Sequence, residues 1–169
     1  MGTRRQARER AVQFLFQYDH NPQRDLDGAL EHFWLHQRPA VIDMIEGRSN
    51  WGVEKEIPPP TVDDLAVRSF AEPLVRGVLE NQDVIDAELQ RLAANWDLHR
   101  MAGVDRNILR LAAHELLQRD DVPPVVIINE AVDIAKKFST DDSGKFVNGI
   151  LDKLAAQLDR PARTTPEAS

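Results

Sequence analysis

Apolar residues recur along most of this chain at helical spacing. In the first segment Ala7, Ala11, Phe14, Leu15 and Tyr18 fall on one stripe of a single helix. A second segment, Leu26 to Gln37, places Leu26, Leu30, Phe33 and Trp34 together. Residues 38–60 begin with a pattern that extends this helix through Val41 and Ile45. They end in Gly, Ser, Asn and the run Pro58-Pro59-Pro60, so residues 47–60 read as an irregular loop. Thr61 suits an N-cap for a helix through Leu65, Phe70, Leu74 and Val78, with Pro73 predicting a kink or an N-terminal turn. Asn81 suits the next cap, ahead of a helix with Val84, Ile85, Leu89, Leu92 and Trp96 inward.

From Val104 to Arg119 the chain is apolar on most sides, which predicts a helix at the centre of a bundle. Val125 to Ile128 could be read as a strand, but Pro123-Pro124 suits a helix start. Ile128, Ala131, Ala135 and Phe138 then continue at helical spacing. The last helix follows the capping cluster at residues 139–142, with Val147, Ile150, Leu151, Leu154 and Leu158 as its stripe. The tail at 161–169, with Pro161 and Pro166, is expected to be flexible. No hairpin signal or repeat appears, so the class is all-α. Residues 1–160 read as one helical domain, with an N-terminal bundle at about 3–80 and a C-terminal bundle at about 81–158.

Composition narrows the chemistry. With 169 residues and no cysteine, the chain needs no disulfide framework and offers no thiolate zinc site or catalytic thiol. No apolar run approaches the ~20 residues of a membrane span, and no signal-peptide core follows the charged N-terminus, so the cytoplasm is expected. A net charge of −7 argues against a general nucleic-acid binder. Its distribution changes that picture. Residues 1–18 carry Arg4, Arg5, Arg8 and Arg10 against Glu9 alone. Residues 19–98 hold 7 basic and 16 acidic side chains, and residues 99–169 hold 10 and 11. A basic spot therefore sits at the end of a chain whose acidic middle can attract a basic protein.

Catalytic and metal motifs fail one by one. His114-Glu115 opens like a zinc-protease helix, but Gln118 stands where the second histidine belongs. His32 and His36 share a helical face, which by itself reads as a solvated pair. There is no Gly-x-Gly phosphate loop and no nucleophile elbow. No enzyme, metal site or cofactor is expected.

Helix 1 departs from what a core requires. Arg8, Val12 and Phe16 are spaced i, i+4, i+8 beside the core stripe, with Arg4 and Arg5 ahead of them. Such a ridge suits single-stranded RNA, with guanidiniums on phosphates and an aromatic ring stacked on a base. The same residues also fit a plain basic surface helix with Phe16 tucked under a neighbour. Residue types alone leave both readings open.

The segment RRQARERAVQFLFQYD, residues 4–19, resembles the arginine-rich opening helix of the NusB family. A longer stretch, VDRNILRLAAHELLQRDDVPPVVIINEAVDIAKKFSTDDSGKFVNGILDKL at residues 104–154, resembles that family's C-terminal signature. Together the two cover about two-fifths of the chain. The resemblance implies two antiparallel three-helix bundles joined by a further helix. It implies a transcription antitermination factor, not an enzyme, that binds boxA-type single-stranded RNA of ribosomal RNA operons. Binding would be as a heterodimer with the ribosomal protein NusE, within the RNA polymerase antitermination complex. Carried over by position, RNA contacts fall on Arg4, Arg5, Arg8, Phe16, Asp142, Lys145 and Phe146, and the NusE contact includes Asp105.

Each of these positions has a plainer use. Asp142 suits an N-cap, Asp105 favours its own helix dipole, and Phe146 lies one residue off the Val147 stripe. Residues 38–60 are longer than the family's usual connection, as if to cover a binding surface or support a homodimer of the free protein. Gly144 lacks a side chain where the family often presents a polar one. Two other readings remain: a helical protein-binding scaffold, and the N-terminal module of an RNA methyltransferase.

Overall fold

Several helices start where local chemistry supplies partners for their first unpaired N–H groups. The computed structural model describes residues 2–47 and 56–158, which form α-helices and one short 3-10 turn. The helices are α1 (Gly2–His20), α2 (Leu26–Gln37), α3 (Pro39–Glu46), α4 (Val62–Glu80), α5 (Gln82–Leu92), α6 (Gly103–Gln118), α7 (Pro124–Phe138) and α8 (Asp141–Ala156). No strand occurs among the described residues. Asp25 caps α2 by accepting from Gly28 N at 3.0 Å. Thr61 and Asp64 form a capping box on α4, with bonds of 2.8 and 3.1 Å. Thr140 caps α8 by accepting from Ser143 N at 3.0 Å. Pro39 and Pro124 open α3 and α7, where a missing N–H removes no helical bond.

The all-α expectation holds, and several details differ. α2 does not run on through Val41 and Ile45. Arg38 is pushed into extended backbone by the following proline, and α3 starts afresh. α4 runs through Pro73 to Glu80 as one helix. The Asn81 side chain does not cap α5. Instead its Nδ2 donates to the carbonyl of Gly77 at 2.8 Å, closing the end of α4. Of the expected loop at 47–60, residues 48–55 lie outside the described residues, as does the tail at 161–169. Residue 47 and residues 56–60 carry no regular structure.

α6 is the axis of the fold. It packs against α1, α4, α5, α7 and α8. A continuous buried cluster consequently runs from Ala7 on α1 to Leu154 on α8. On the α1 side Phe14 meets Phe33 edge-on at 5.3 Å, and Phe33 meets Trp34 at 5.2 Å. Val84 and Trp96, expected inward, are exposed, as is Leu65, and Phe138 is only partly covered. α5 stops at Leu92, so Trp96 leaves the helical stripe before it can reach the core.

The central helix also buries charge. Arg110 is enclosed and forks onto Asp86 with bonds of 2.8 and 2.9 Å, and Asp19 lies 3.2 Å away. Arg106 reaches the same Asp19 at 2.8 Å, so the end of α1, α5 and α6 are tied by one network. Burial opposes ionisation of Asp19, but the Arg106 hydrogen bond, the Arg110 charge and Asn107 together hold its carboxyl below the usual range.

Candidate nucleic-acid and partner interface

The surface ridge expected on α1 is broken in its middle. Arg4 is exposed, and its guanidinium sits 5.5 Å from the centre of the Phe70 ring on α4. Arg5 is partly exposed and is held by Glu130 at 2.8 and 3.0 Å and by Asp133 at 2.8 Å, both on α7. Arg8 is not a surface residue. Its side chain is buried between α1, α4 and α6 and makes a two-pronged pair with Glu115, at 2.8 and 2.9 Å, over the Phe70 ring. Val12, the next position of the ridge, is buried too.

The physical reason is that α1 packs against α4 and α6 at once, so its covered face is wider than the apolar stripe. Removing Arg8 would take from the buried Glu115 carboxylate both of its guanidinium hydrogen bonds. A guanidinium so held is unavailable to a phosphate.

Phe16 is half-buried near the other end of α1. Its ring meets that of His20 at a tilt of 41° with centres 4.4 Å apart, while His20 Nδ1 lies 2.9 Å from the Phe16 carbonyl. Both rings lean on Gly103 at the start of α6. A Cβ there would stand 2.9 Å from His20 and 3.0 Å from Phe16, so glycine allows the close approach. Arg4 and Phe16 are separated by twelve residues of helix, or about 18 Å.

The remaining positions gather at one place. Asp105, Asp142 and Phe146 line a single groove of about 1060 Å³, together with Trp96, Asp97 and Arg100. Its walls are the segment after α5, the start of α6 and the start of α8. Asp105 is buried, and its Oδ2 accepts from Ser143 Oγ at 3.0 Å while its Oδ1 has no partner. Phe146 meets Trp96 edge-on at 5.6 Å. Asp142 is exposed and is not the N-cap, since Thr140 fills that role. Lys145 is exposed on α8 beside the groove. Gly144 is buried, and a Cβ there would stand 3.0 Å from Lys136 Cγ, so α7 and α8 pack closely at that point.

Trp96 escaped the sequence reading because it follows Leu92 by four residues, the spacing of a continued stripe. Asn95 and Asp97 on either side, both residues that favour turns, were the available signal. Among the described residues no group of His, Asp and Glu is placed to hold a metal ion. His32 and His36 simply stack, with ring centres 4.1 Å apart. No described helix is long and apolar enough to cross a membrane.

The fold is all-α around a central helix, and Asp105, Asp142 and Phe146 gather where helix ends meet. The sequence pattern of the NusB family matches residues 5–156, and the chain belongs to that family of transcription antitermination factors, which are not enzymes. The transcription antitermination protein NusB of Anaeromyxobacter dehalogenans is 44% identical over 160 residues, covering 95% of this chain and 94% of the relative. That of Desulfitobacterium hafniense is 40% identical over 159 residues, covering 94% and 91%. Among solved structures, T. maritima NusB superposes with a TM-score of 0.66 at 35% identity, covering 91% of each chain. The antitermination factor NusB solved with NusE and dsRNA gives the same TM-score of 0.66 at 23% identity, over 94% of this chain and 99% of that one, a likeness of fold.

Proposed function

We propose that this chain acts in the cytoplasm as an antitermination factor. It binds single-stranded boxA-type RNA cooperatively with NusE and supports processive transcription of ribosomal RNA operons within the RNA polymerase antitermination complex. The observation that carries this reading is the convergence of Asp105, Asp142 and Phe146, from separate parts of the sequence, on one groove flanked by exposed Lys145. In this reading the RNA follows Arg4, Arg5, Phe16 and Lys145, and meets NusE at the groove edge formed by Asp142 and Phe146. NusE docks at Asp105. The NusB solved with NusE and dsRNA shares this fold, which supports reading the chain as a binder of RNA and NusE.

The basic track on this chain is thin. Arg8 is buried and Arg5 is shared with two carboxylates, so the protein alone has few free cations to offer phosphate. A basic partner extends that track, which makes the two ligands interdependent. Coupling of this kind is typically about 1–3 kcal/mol, or roughly 5–150-fold in affinity, and it acts equally in both directions. Titration calorimetry of all four edges of the cycle tests this, with a boxA RNA, a scrambled RNA and NusE. The expected result is tighter boxA binding in the presence of NusE and a smaller effect on the scrambled strand. Equal boxA affinity with and without NusE would overturn the cooperative reading.

A further inference from the structure

Arg5, Glu9 and Phe16 follow one another at spacings of four and seven residues, so they share one side of α1. A strand running from Arg5 to Phe16 follows that side, and the seam it crosses is not basic. Arg5 meets Glu130 and Asp133 of α7. One turn further on, Lys137 Nζ donates to both carboxylate oxygens of Glu9 at 3.1 Å. Two cations therefore stand there against three carboxylates, a balance that repels phosphate.

The two carboxylates hold Arg5 in different ways. A guanidinium offers two forked edges, one of Nε with Nη2 and one of Nη1 with Nη2. Glu130 fills the first, accepting from Nε at 2.8 Å and from Nη2 at 3.0 Å. Asp133 accepts from Nη2 alone at 2.8 Å, and so takes the hydrogen that the second edge needs. Nη1 makes no hydrogen bond among the described residues. The Asp133 side chain is 48% exposed and that of Arg5 41%, so this contact is open to water and to a competing anion. A pair this exposed contributes little to stability. A phosphate that grips Arg5 with two prongs has to take the second edge, and it can do so only in place of Asp133.

We propose, on the reading that RNA follows Arg5, that Asp133 stands in for a phosphate in the unbound protein and is displaced when RNA binds. Glu130 stays in place and aims the guanidinium. Asp133 is thereby a residue that sets RNA affinity by lowering it. It acts on the backbone of any strand, because a phosphate contact carries no sequence information. Weakly held strands are shed, while a strand with further contacts is still bound.

The test compares the full chain with Asp133→Ala, Arg5→Gln and the double variant. Binding of a boxA RNA and of a scrambled strand is followed by fluorescence anisotropy without NusE, at about 50 mM salt, where surface charge is weakly screened. Asp133→Ala should tighten both strands about fivefold, with Tm within about 3 °C of the unaltered chain. Arg5→Gln should weaken both, and in its background Asp133→Ala should change either affinity by less than about twofold. If Asp133→Ala stays within about twofold of the unaltered chain while Arg5→Gln weakens binding, the stand-in is overturned and Arg5 keeps its place in the RNA path. A gain that survives in full without Arg5 also overturns it, since that is a general relief of negative charge. A gain confined to boxA does the same, because it marks Asp133 as a base contact. If Arg5→Gln binds as tightly as the unaltered chain, Arg5 leaves the RNA path and the stand-in falls with it.

Discussion

Replacing Arg8 is the most informative single perturbation of α1, because sequence and structure give opposite expectations for it. An arginine on an exposed ridge could be removed with little effect on stability and a direct loss of RNA affinity. The structure instead places its side chain at 6% exposure against Glu115 at 1%, with both prongs of the guanidinium engaged. Truncating one member of a buried pair typically costs about 3–5 kcal/mol, because the other charge is left without a partner. For a domain of this size each kcal/mol moves Tm by about 2–4 °C, so Arg8→Ala should lower Tm by roughly 6–20 °C. The Phe70 contact at 5.2 Å adds to the loss. Urea unfolding followed by circular dichroism gives the free energy directly. The decisive comparison is the double variant Arg8→Met, Glu115→Leu, which removes both charges and fills similar volume. It should recover most of the loss, since apolar replacement of a whole buried pair is often neutral or stabilising. A cost below about 1 kcal/mol for Arg8→Ala, the level of a surface ion pair, would refute the reasoning. A double variant as unstable as the single one would refute it as well.

Three other outcomes are expected. Burial holds His114 below its ordinary pKa of 6.5, with Glu115 and Glu80 opposing and Arg119 adding to the shift. The unfolded chain therefore takes up that proton first, and stability should be complete above about pH 6.5 and fall as the pH drops towards the folded-state pKa. His114→Leu should flatten denaturation midpoints across that window, and an unchanged pH profile in the variant would refute the assignment. Gly77 faces the His114 ring so closely that an added Cβ would overlap Cε1 and Nε2. Gly77→Ala should cost about 1–3 kcal/mol by chemical denaturation despite the higher helix propensity of alanine, and a neutral result would mean the ring can move. With Arg8 withdrawn, about three cations (Arg4, Arg5 and Lys145) remain for RNA phosphates, giving a log–log salt slope of about −2. Raising salt from about 50 to 200 mM should then weaken boxA binding roughly twentyfold, and Arg4→Gln should flatten the slope by about 0.7 in fluorescence anisotropy; an unchanged slope removes Arg4 from the track.

The sequence by itself determined where the helices lie. Apolar spacing identified α1, α2, α4, α6, α7 and α8, and Thr61 announced its cap in the local order of residues. These features depend on neighbours within a few positions, which a single sequence displays completely. The order of motifs in residues 4–19 and 104–154 likewise carried the family. What the tertiary structure alone decided was the fate of polar residues beside a stripe. Arg8 and Lys145 look alike in sequence, yet Arg8 is enclosed because α1 is covered by two helices, while Lys145 remains open. Glu115, the residue that makes burial of Arg8 possible, lies 107 positions away, and no local pattern links the two. Trp96 shows the converse: its spacing placed it on the core stripe, but α5 ended four residues earlier and left the indole on the rim of the groove. The period of a pattern records which side chains share a face. How wide a face is buried depends on how many elements pack against it, and only the assembled fold sets that number.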